Sequence, residues 1–228
     1  MASPPPDLGT DATSPDAIAR DDAARDGLAR DDPEAYIARD RRWALASHRE
    51  MPDRVRGAAL FADISGFTPL TEALANELGS QRGAEELTAN LGRVFHAVIE
   101  ALDQRGGEVI YFSGDAITCW LDGDDGIRAT AAALAMQDAM ARVGTIRTPG
   151  GSVVQLALKV AVATGDARRF VVGDPDIQLI DVLAGALIDD LADAEHHAEK
   201  GEVVLDPSTL AAVGDRVTIV DTRLDPER

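Results

Sequence analysis

Apolar residues along this chain recur with two periods, one of two residues and one of three to four. These spacings return side chains to one face of a strand or of a helix, respectively. They predict strands at 58–63, 108–112, 116–121, 155–166, 167–174, 203–205 and 217–220. They predict helices at 33–48, from 68 onward, from 82 to the glycines at 106 and 107, at 126–143 and at 188–198.

The strongest helical signal lies in the segment that begins at Arg82. Its apolar residues share one face over about six turns: Leu87, Leu91, Val94, Phe95, Val98, Ile99 and Leu102. His96 lies one position from this stripe and has no matching ligand nearby, so a structural or solvated role is favoured over metal binding. In the helix at 126–143, the methionines are interpreted as core residues, and Leu134 is placed on or near the buried side.

The order of predicted elements is strand, helix, strand, strand, helix, strand, with additions. This order indicates an α+β fold, a ferredoxin-like antiparallel sheet with helices on one face. A doubly wound parallel sheet is the alternative. The tight hairpin Ser113-Gly114-Asp115, between the second and third strands, argues against it.

The amino-terminal segment differs in composition from the rest. Residues 1–33 hold five prolines and eight aspartates but few bulky apolar residues, so they are predicted to form a disordered acidic tail. Residues 34–54 are interpreted as a helical lead-in that packs on the domain, and residues 55–228 as the domain itself.

Charge and composition limit the possible partners. The formal net charge is −18, which argues against nucleic acid, since phosphate backbones are held by clustered Lys and Arg. The sequence shows no transmembrane stretch and no signal peptide, so no membrane partner and a cytoplasmic location are expected. The single cysteine, Cys119, is interpreted as a small buried hydrophobe.

The first strand ends on a carboxylate, and a sharp turn follows. Ser65 and Gly66 allow the backbone to approach a ligand closely, Thr68 is predicted to cap the next helix, and Pro69 suits its first position. The free N–H groups of that helix face whatever Asp63 faces. A phosphate group with a metal ion attached, such as a metal triphosphate, suits this combination.

Two further charged residues belong to this chemistry. Asp115 lies at the turn of the predicted hairpin, and Lys159 interrupts an otherwise apolar strand. From the pattern alone, Lys159 lies either on a solvated face or toward an anion, and the two alternatives are even.

Four ordered motifs resemble the catalytic domain of class III nucleotide cyclases: FADISGFTPLTE, RGAEELT, YFSGDAITCW and LKVAVATGD. The nearest likeness is to the first catalytic half of bicarbonate-responsive soluble adenylyl cyclases and their bacterial relatives. The resemblance covers roughly residues 55–210, and several motifs in order are more specific than a single glycine pattern.

The resemblance implies roles for the residues near Asp63. It makes Asp63 and Asp115 the metal-binding carboxylates, with the backbone carbonyl of Ile64 joining them to hold two Mg²⁺ or Mn²⁺ ions. It assigns phosphate binding to the main chain of residues 65–68, namely Ser65, Gly66, Phe67 and Thr68, with Phe67 covering the site. It places Lys159 against the triphosphate.

Other positions depart from the family pattern. Where active homodimeric members carry a purine-reading lysine and its polar partner, this chain has Tyr111 and Val182. Where they carry an asparagine and, four residues later, an arginine that stabilises the transition state, it has Asp189 and Asp193. The bicarbonate-binding lysine and arginine align with Tyr111 and Ala192. Bicarbonate activation is therefore not expected.

Two functions follow from these matches and departures. In the first, the chain is the metal-binding half of a nucleotide cyclase. It would bind ATP, or GTP, and form cyclic AMP and pyrophosphate as a homodimer or with a complementary cyclase domain. In the second, it is a catalytically degenerate module that senses nucleotide or dimerises within a larger signalling protein. The aspartate pair favours the first function, and the absent arginine favours the second.

Overall fold

The computed structural model describes residues 37–174 and 176–223. Its strands are β1 (Arg54–Ser65), β2 (Glu108–Ser113), β3 (Ala116–Asp122), β4 (Thr145–Arg147), β5 (Val153–Gln155), β6 (Ala157–Asp174), β7 (Gln178–Ala184) and β8 (Val203–Leu205). Its helices are α1 (Arg39–Ala46), α2 (Phe67–Leu78), α3 (Ser80–Asp103), α4 (Ile127–Val143), α5 (Ala186–His196) and α6 (Pro207–Val213). The predicted acidic tail at 1–33 lies outside the described residues.

The main sheet has the strand order β2-β3-β1-β6-β7. Every neighbouring pair in this path is antiparallel, and β8 adds a parallel pairing to β6. The short strands β4 and β5 form a separate antiparallel pair. The predicted α+β antiparallel sheet is therefore confirmed, and the doubly wound alternative is wrong.

The central strand β1 divides the interior into two cores. Leu60 and Ile64 lie in a core that α2, α3 and α4 cover, whereas Ala59 lies in a second core with Leu187 and Leu191 of α5. Alternate residues of a strand point to opposite faces, so one sequence serves both cores. Burying each large side chain contributes about 1.5–3 kcal/mol.

Helices cover both faces of the sheet. The three long helices lie on one face, as expected, but the prediction of helices on one face alone does not hold for α5. This helix lies on the other face with α1, whose Asp40 contacts Arg169 of β6. The predicted helix at 33–48 is shorter in the structure, Arg39–Ala46. Its predicted residue Tyr36 falls outside the described part.

Several predicted elements need correction. The segments 155–166 and 167–174 form one strand of 18 residues, β6, and not two. Residues 217–220 form no strand, and Val220 is 96% exposed, because an apolar run becomes a strand only where another strand pairs with it. Leu134 of α4 is 48% exposed, whereas Met136 and Met140 are buried as predicted.

The sequence analysis missed four elements: β4, β5, β7 and α6. The sequence does contain a signal for α6, the pair Asp206-Pro207. In the structure Asp206 accepts hydrogen bonds from the backbone N–H groups of Ser208 and Thr209, and Pro207 occupies the first turn. An N-capping aspartate followed by proline is typical of a helix start.

Two further predictions concern the burial of Cys119 and the absence of a membrane-spanning segment. Cys119 is fully buried in β3, as predicted, and burial raises the pKa of its thiol, so the thiol stays protonated. Among residues 37–174 and 176–223, no helix combines the length and the apolar character needed to cross a membrane.

Candidate active site

The ends of β1 and of the β2–β3 hairpin bring two aspartates together. Asp63 pairs in register with Ala116, the residue after Asp115. The N–H of Ile64 donates a hydrogen bond to the Asp115 carbonyl oxygen at 3.1 Å. Burial raises the pKa of Asp63, and the negative charges of Asp115 and Glu195 add to the rise against the opposing effect of Lys159. The two carboxylates thus share one electrostatic environment.

A glycine starts α2 directly after β1. Gly66 has φ of 103° and is the N-cap residue of this helix, which begins at Phe67. The predictions that Thr68 caps the helix and that Pro69 is its first residue are therefore wrong. A Cβ atom at Gly66 would lie 2.8 Å from the carbonyl oxygen of Gln155. Glycine has no Cβ atom and so avoids this close contact. The N–H groups of Phe67 and Thr68, in the first turn, have no acceptor within the helix. They are available to an anion beside Asp63.

The side chains of this turn differ in their surroundings. Ser65 donates a hydrogen bond to the carbonyl oxygen of Ala157 at 3.4 Å, and Thr68 is exposed. Phe67, which the family resemblance places over the site, is half-buried and packs against the first core. In this segment the first-turn N–H groups are therefore the candidate anion-binding groups, and the side chain of Phe67 contributes to core packing.

Lys159 lies beside Asp63 on the neighbouring strand. The two residues are paired in the β1–β6 register, with Lys159 Nζ 3.3 Å from Asp63 Oδ2. The same nitrogen lies 2.5 Å from Oε1 of Glu195 on α5. The hydrogen bond to Glu195 is the main cause of a raised pKa for Lys159, so the ammonium group stays charged. The Lys159 side chain is 26% exposed, and its ammonium group points toward these two carboxylates.

The sequence analysis did not identify Glu195. A signal was present, because Leu187, Leu191 and Glu195 are spaced four apart, so the acid extends the apolar stripe that buries α5. An acidic side chain in that position is directed toward the sheet and not toward solvent. There it meets Lys159.

The oxygen donors at this site suit a hard divalent cation. Asp63 and Asp115 offer carboxylates, and Ile64 offers a backbone carbonyl, which are ligands that Mg²⁺ and Mn²⁺ accept. Within the described ranges, no three His, Cys, Asp or Glu side chains are grouped closely enough to hold a metal ion by themselves. Mg²⁺ commonly takes one or two carboxylates and completes its shell with water and substrate phosphates. The residues present fit that mode.

Comparison with known proteins adds to this geometry. No family model matches the sequence. The chain is 28% identical over 163 residues to adenylate cyclase type 10 of Oryctolagus cuniculus, a match that covers 70% of this chain and 10% of that protein. The chain therefore matches only about a tenth of the length of that relative.

Solved structures agree with the sequence comparison. The guanylyl cyclase Cya2 superposes with a TM-score of 0.63 at 24% identity, over 78% of this chain and 88% of that one. The guanylate cyclase domain of RhGC from Catenaria anguillulae, solved in complex with GTP, superposes with a TM-score of 0.54 at 18% identity, over 72% and 85%. The fold is that of the class III nucleotide cyclases.

The residues that depart from the family pattern lie on β2, β7 and α5. Tyr111 lies on β2 and is 42% exposed, and Val182 lies on β7 opposite Phe170. Asp189 and Asp193 both lie on α5, the helix that also carries Glu195. The sequence of this helix, ALIDDLADAEH, contains four carboxylates and no arginine. The helix that brings Glu195 to Lys159 is therefore strongly acidic.

Proposed function

We propose that this cyclase domain is the metal-binding half of a dimeric nucleotide cyclase that converts ATP to cyclic AMP and pyrophosphate. The observation that carries the proposal is the meeting of Asp63, Asp115 and Lys159 at the start of α2. A complementary cyclase domain would complete the site, either a second copy or a different chain.

Each residue has a role in this proposal. Asp63, Asp115 and the carbonyl of Ile64 hold the cations, and the first-turn N–H groups of α2 orient the phosphates. When bound, two divalent ions lower the pKa of the ribose 3′-hydroxyl and neutralise the leaving pyrophosphate. Lys159 supplies a further positive charge next to Asp63.

The second candidate function is a nucleotide-sensing or dimerisation module that makes no cyclic nucleotide. The acidic side of α5 favours it, since Asp189 and Asp193 occupy the positions where the resemblance expects transition-state donors. A carboxylate repels a phosphoryl group and cannot replace the forked donors of an arginine. The half-enzyme and the nucleotide-sensing form of the module both require metal-dependent binding of nucleotide. They differ only in turnover.

Thermal unfolding tests the shared requirement. ATP should raise the melting temperature only with Mg²⁺ or Mn²⁺ present, because a ligand at a hundred times its Kd stabilises the folded state by about 2.7 kcal/mol. Asp63→Asn and Asp115→Asn should each abolish the shift. Asp138→Asn, at an exposed position of α4, is the matched control and should retain it. An undiminished shift in both site variants would refute the metal-binding role.

A further inference from the structure

Lys159 is engaged by the protein itself. Its ammonium nitrogen lies 2.5 Å from Oε1 of Glu195 and 3.3 Å from Oδ2 of Asp63. Glu195 is 29% exposed and belongs to α5, which Leu187 and Leu191 fix against the sheet. Because the helix is packed, the carboxylate is held in place next to Lys159 without a ligand.

We propose that Glu195 is a selectivity residue that prevents phosphate groups without a metal ion from binding through Lys159. The inference rests on the proposed function, because it assumes that the substrate reaches this site as a metal complex. Glu195 acts through Lys159 and not on the reacting atoms.

The charges around Lys159 give the physical reason. Asp63, Asp115 and Glu195 contribute three negative charges against the single positive charge of Lys159. A bare polyphosphate must displace Glu195 to reach the ammonium group, and it leaves that carboxylate unpaired beside the incoming anion. A divalent cation held by Asp63 and Asp115 would offset this excess negative charge and remove the penalty. Glu195 therefore discriminates between the two forms of the ligand.

Binding of inorganic tripolyphosphate to the full chain, measured by calorimetry in excess EDTA, tests the proposal. Glu195→Gln keeps the size of the side chain and removes its charge. We expect it to bind about tenfold more tightly than the unmodified chain, as loss of about 1.4 kcal/mol of repulsion would give. Glu199→Gln changes the net charge equally at an exposed position, and we expect it to bind like the unmodified chain.

Two further binding measurements distinguish an effect through Lys159 from a general effect of the net charge. Adding Lys159→Met to Glu195→Gln should return the affinity to that of the unmodified chain. In excess Mg²⁺, the advantage of Glu195→Gln should fall below about threefold, because the cation already offsets the repulsion. Near-UV circular dichroism checks that each variant is folded. Should Glu195→Gln fail to fold, Glu195→Ala, which also removes the charge, should bind more tightly in EDTA than the unmodified chain.

Equal affinities for Glu195→Gln and Glu199→Gln would overturn the proposal, as would a gain that survives Lys159→Met. For the fallback variant, binding no tighter than that of the unmodified chain would overturn it as well. The EDTA measurement contains neither metal nor nucleotide. Failure of the chain to form cyclic AMP with a complementary domain would therefore refute the proposed function and leave the result for Glu195 standing.

Discussion

Two adjacent arginines on β6 show how completely the environment of a residue depends on its face of the strand. Arg168 is 49% exposed at the side chain and pairs with the half-exposed Asp53. Arg169 is 1% exposed and lies between Asp181 and Asp40, with N–O distances of 2.5 Å and 2.6 Å. Burial opposes the charge of Arg169, but hydrogen bonds to both carboxylates raise its pKa, so it remains a cation inside the protein.

Replacement of Arg169 by methionine should destabilise the fold strongly. Asp181 is 1% exposed and would keep only the more distant guanidinium of Arg41, at 3.7 Å. Removal of one partner of a buried ion pair costs about 3–5 kcal/mol. Arg168→Met is the control, since an exposed ion pair contributes at most about 1 kcal/mol. Urea unfolding of both variants measures the difference. Equal losses of stability would contradict the importance of the buried pairings.

At the scale of elements, α1 is attached to the sheet largely by charge. Its buried residues are Arg41 and Ala44 alone. Arg41 donates a hydrogen bond to the carbonyl oxygen of Arg169 at 3.1 Å, and Asp40 pairs with the guanidinium of the same residue. A helix with so little apolar contact should be among the first elements to open.

Acid should therefore release α1 before the sheet. Burial alone would raise the pKa of Asp40, but hydrogen bonds and charge from Arg169 outweigh it and lower that pKa below the ordinary value. A carboxyl group with a lowered folded-state pKa stabilises above its unfolded pKa, about 3.9, and this contribution is lost as the pH falls through the lowered folded-state value.

Hydrogen exchange at several acidic pH values, corrected for the intrinsic rate, measures this release. Amides of α1 should lose protection below about pH 4, the ordinary aspartate range, while those of β1 keep theirs. Asp40→Asn should expose α1 already at neutral pH and flatten the dependence. Unchanged protection of α1 in that variant would show that the ion pair does not hold the helix.

For the molecule as a whole, one chain supplies an incomplete site in the proposed function. The acidic helix α5 carries no arginine, and β2 presents Tyr111 where a base-reading lysine is expected. The surface around Tyr111 also exposes apolar side chains, with Phe112 at 57% and Ile180 at 44%. Exposed apolar area of this kind suits contact with another domain.

The isolated chain should therefore form cyclic AMP at a trace rate or not at all, with little preference between ATP and GTP. Loss of one preorganised donor costs about 3–4 kcal/mol, which is about a hundred- to thousandfold in rate. The combined changes Asp189→Asn, Asp193→Arg and Tyr111→Lys should raise the rate in the homodimer. Mixing the unmodified chain with a complementary cyclase domain should also raise it.

Chromatographic measurement of cyclic AMP decides this prediction. Asp63→Ala in the combined variant is the control, and it should remove the gained activity. Rapid, purine-selective turnover by the unmodified chain, lost on Asp63→Ala, would show that another group does the work of the arginine. It would overturn the half-enzyme proposal.

The sequence by itself determined the features whose signals are local. Alternation along 58–63 predicted β1, although the strand runs from Arg54 to Ser65. The glycine-containing turn predicted the hairpin at Asp115, and the apolar stripe predicted α3. Each signal needs only neighbouring residues, because a strand period, a turn and a helical face are defined within a few positions. The antiparallel sheet and the approximate place of the candidate site followed from their order.

Only the tertiary structure decided which distant charges meet. Lys159 and Glu195 are 36 positions apart, and Arg169 and Asp40 are 129 apart, so no local pattern records either pair. The same limit explains the single long strand β6 and the absence of a strand at 217–220, since strands depend on partners elsewhere in the chain. Local patterns specify which elements can form, and packing decides which side chains those elements bring into contact.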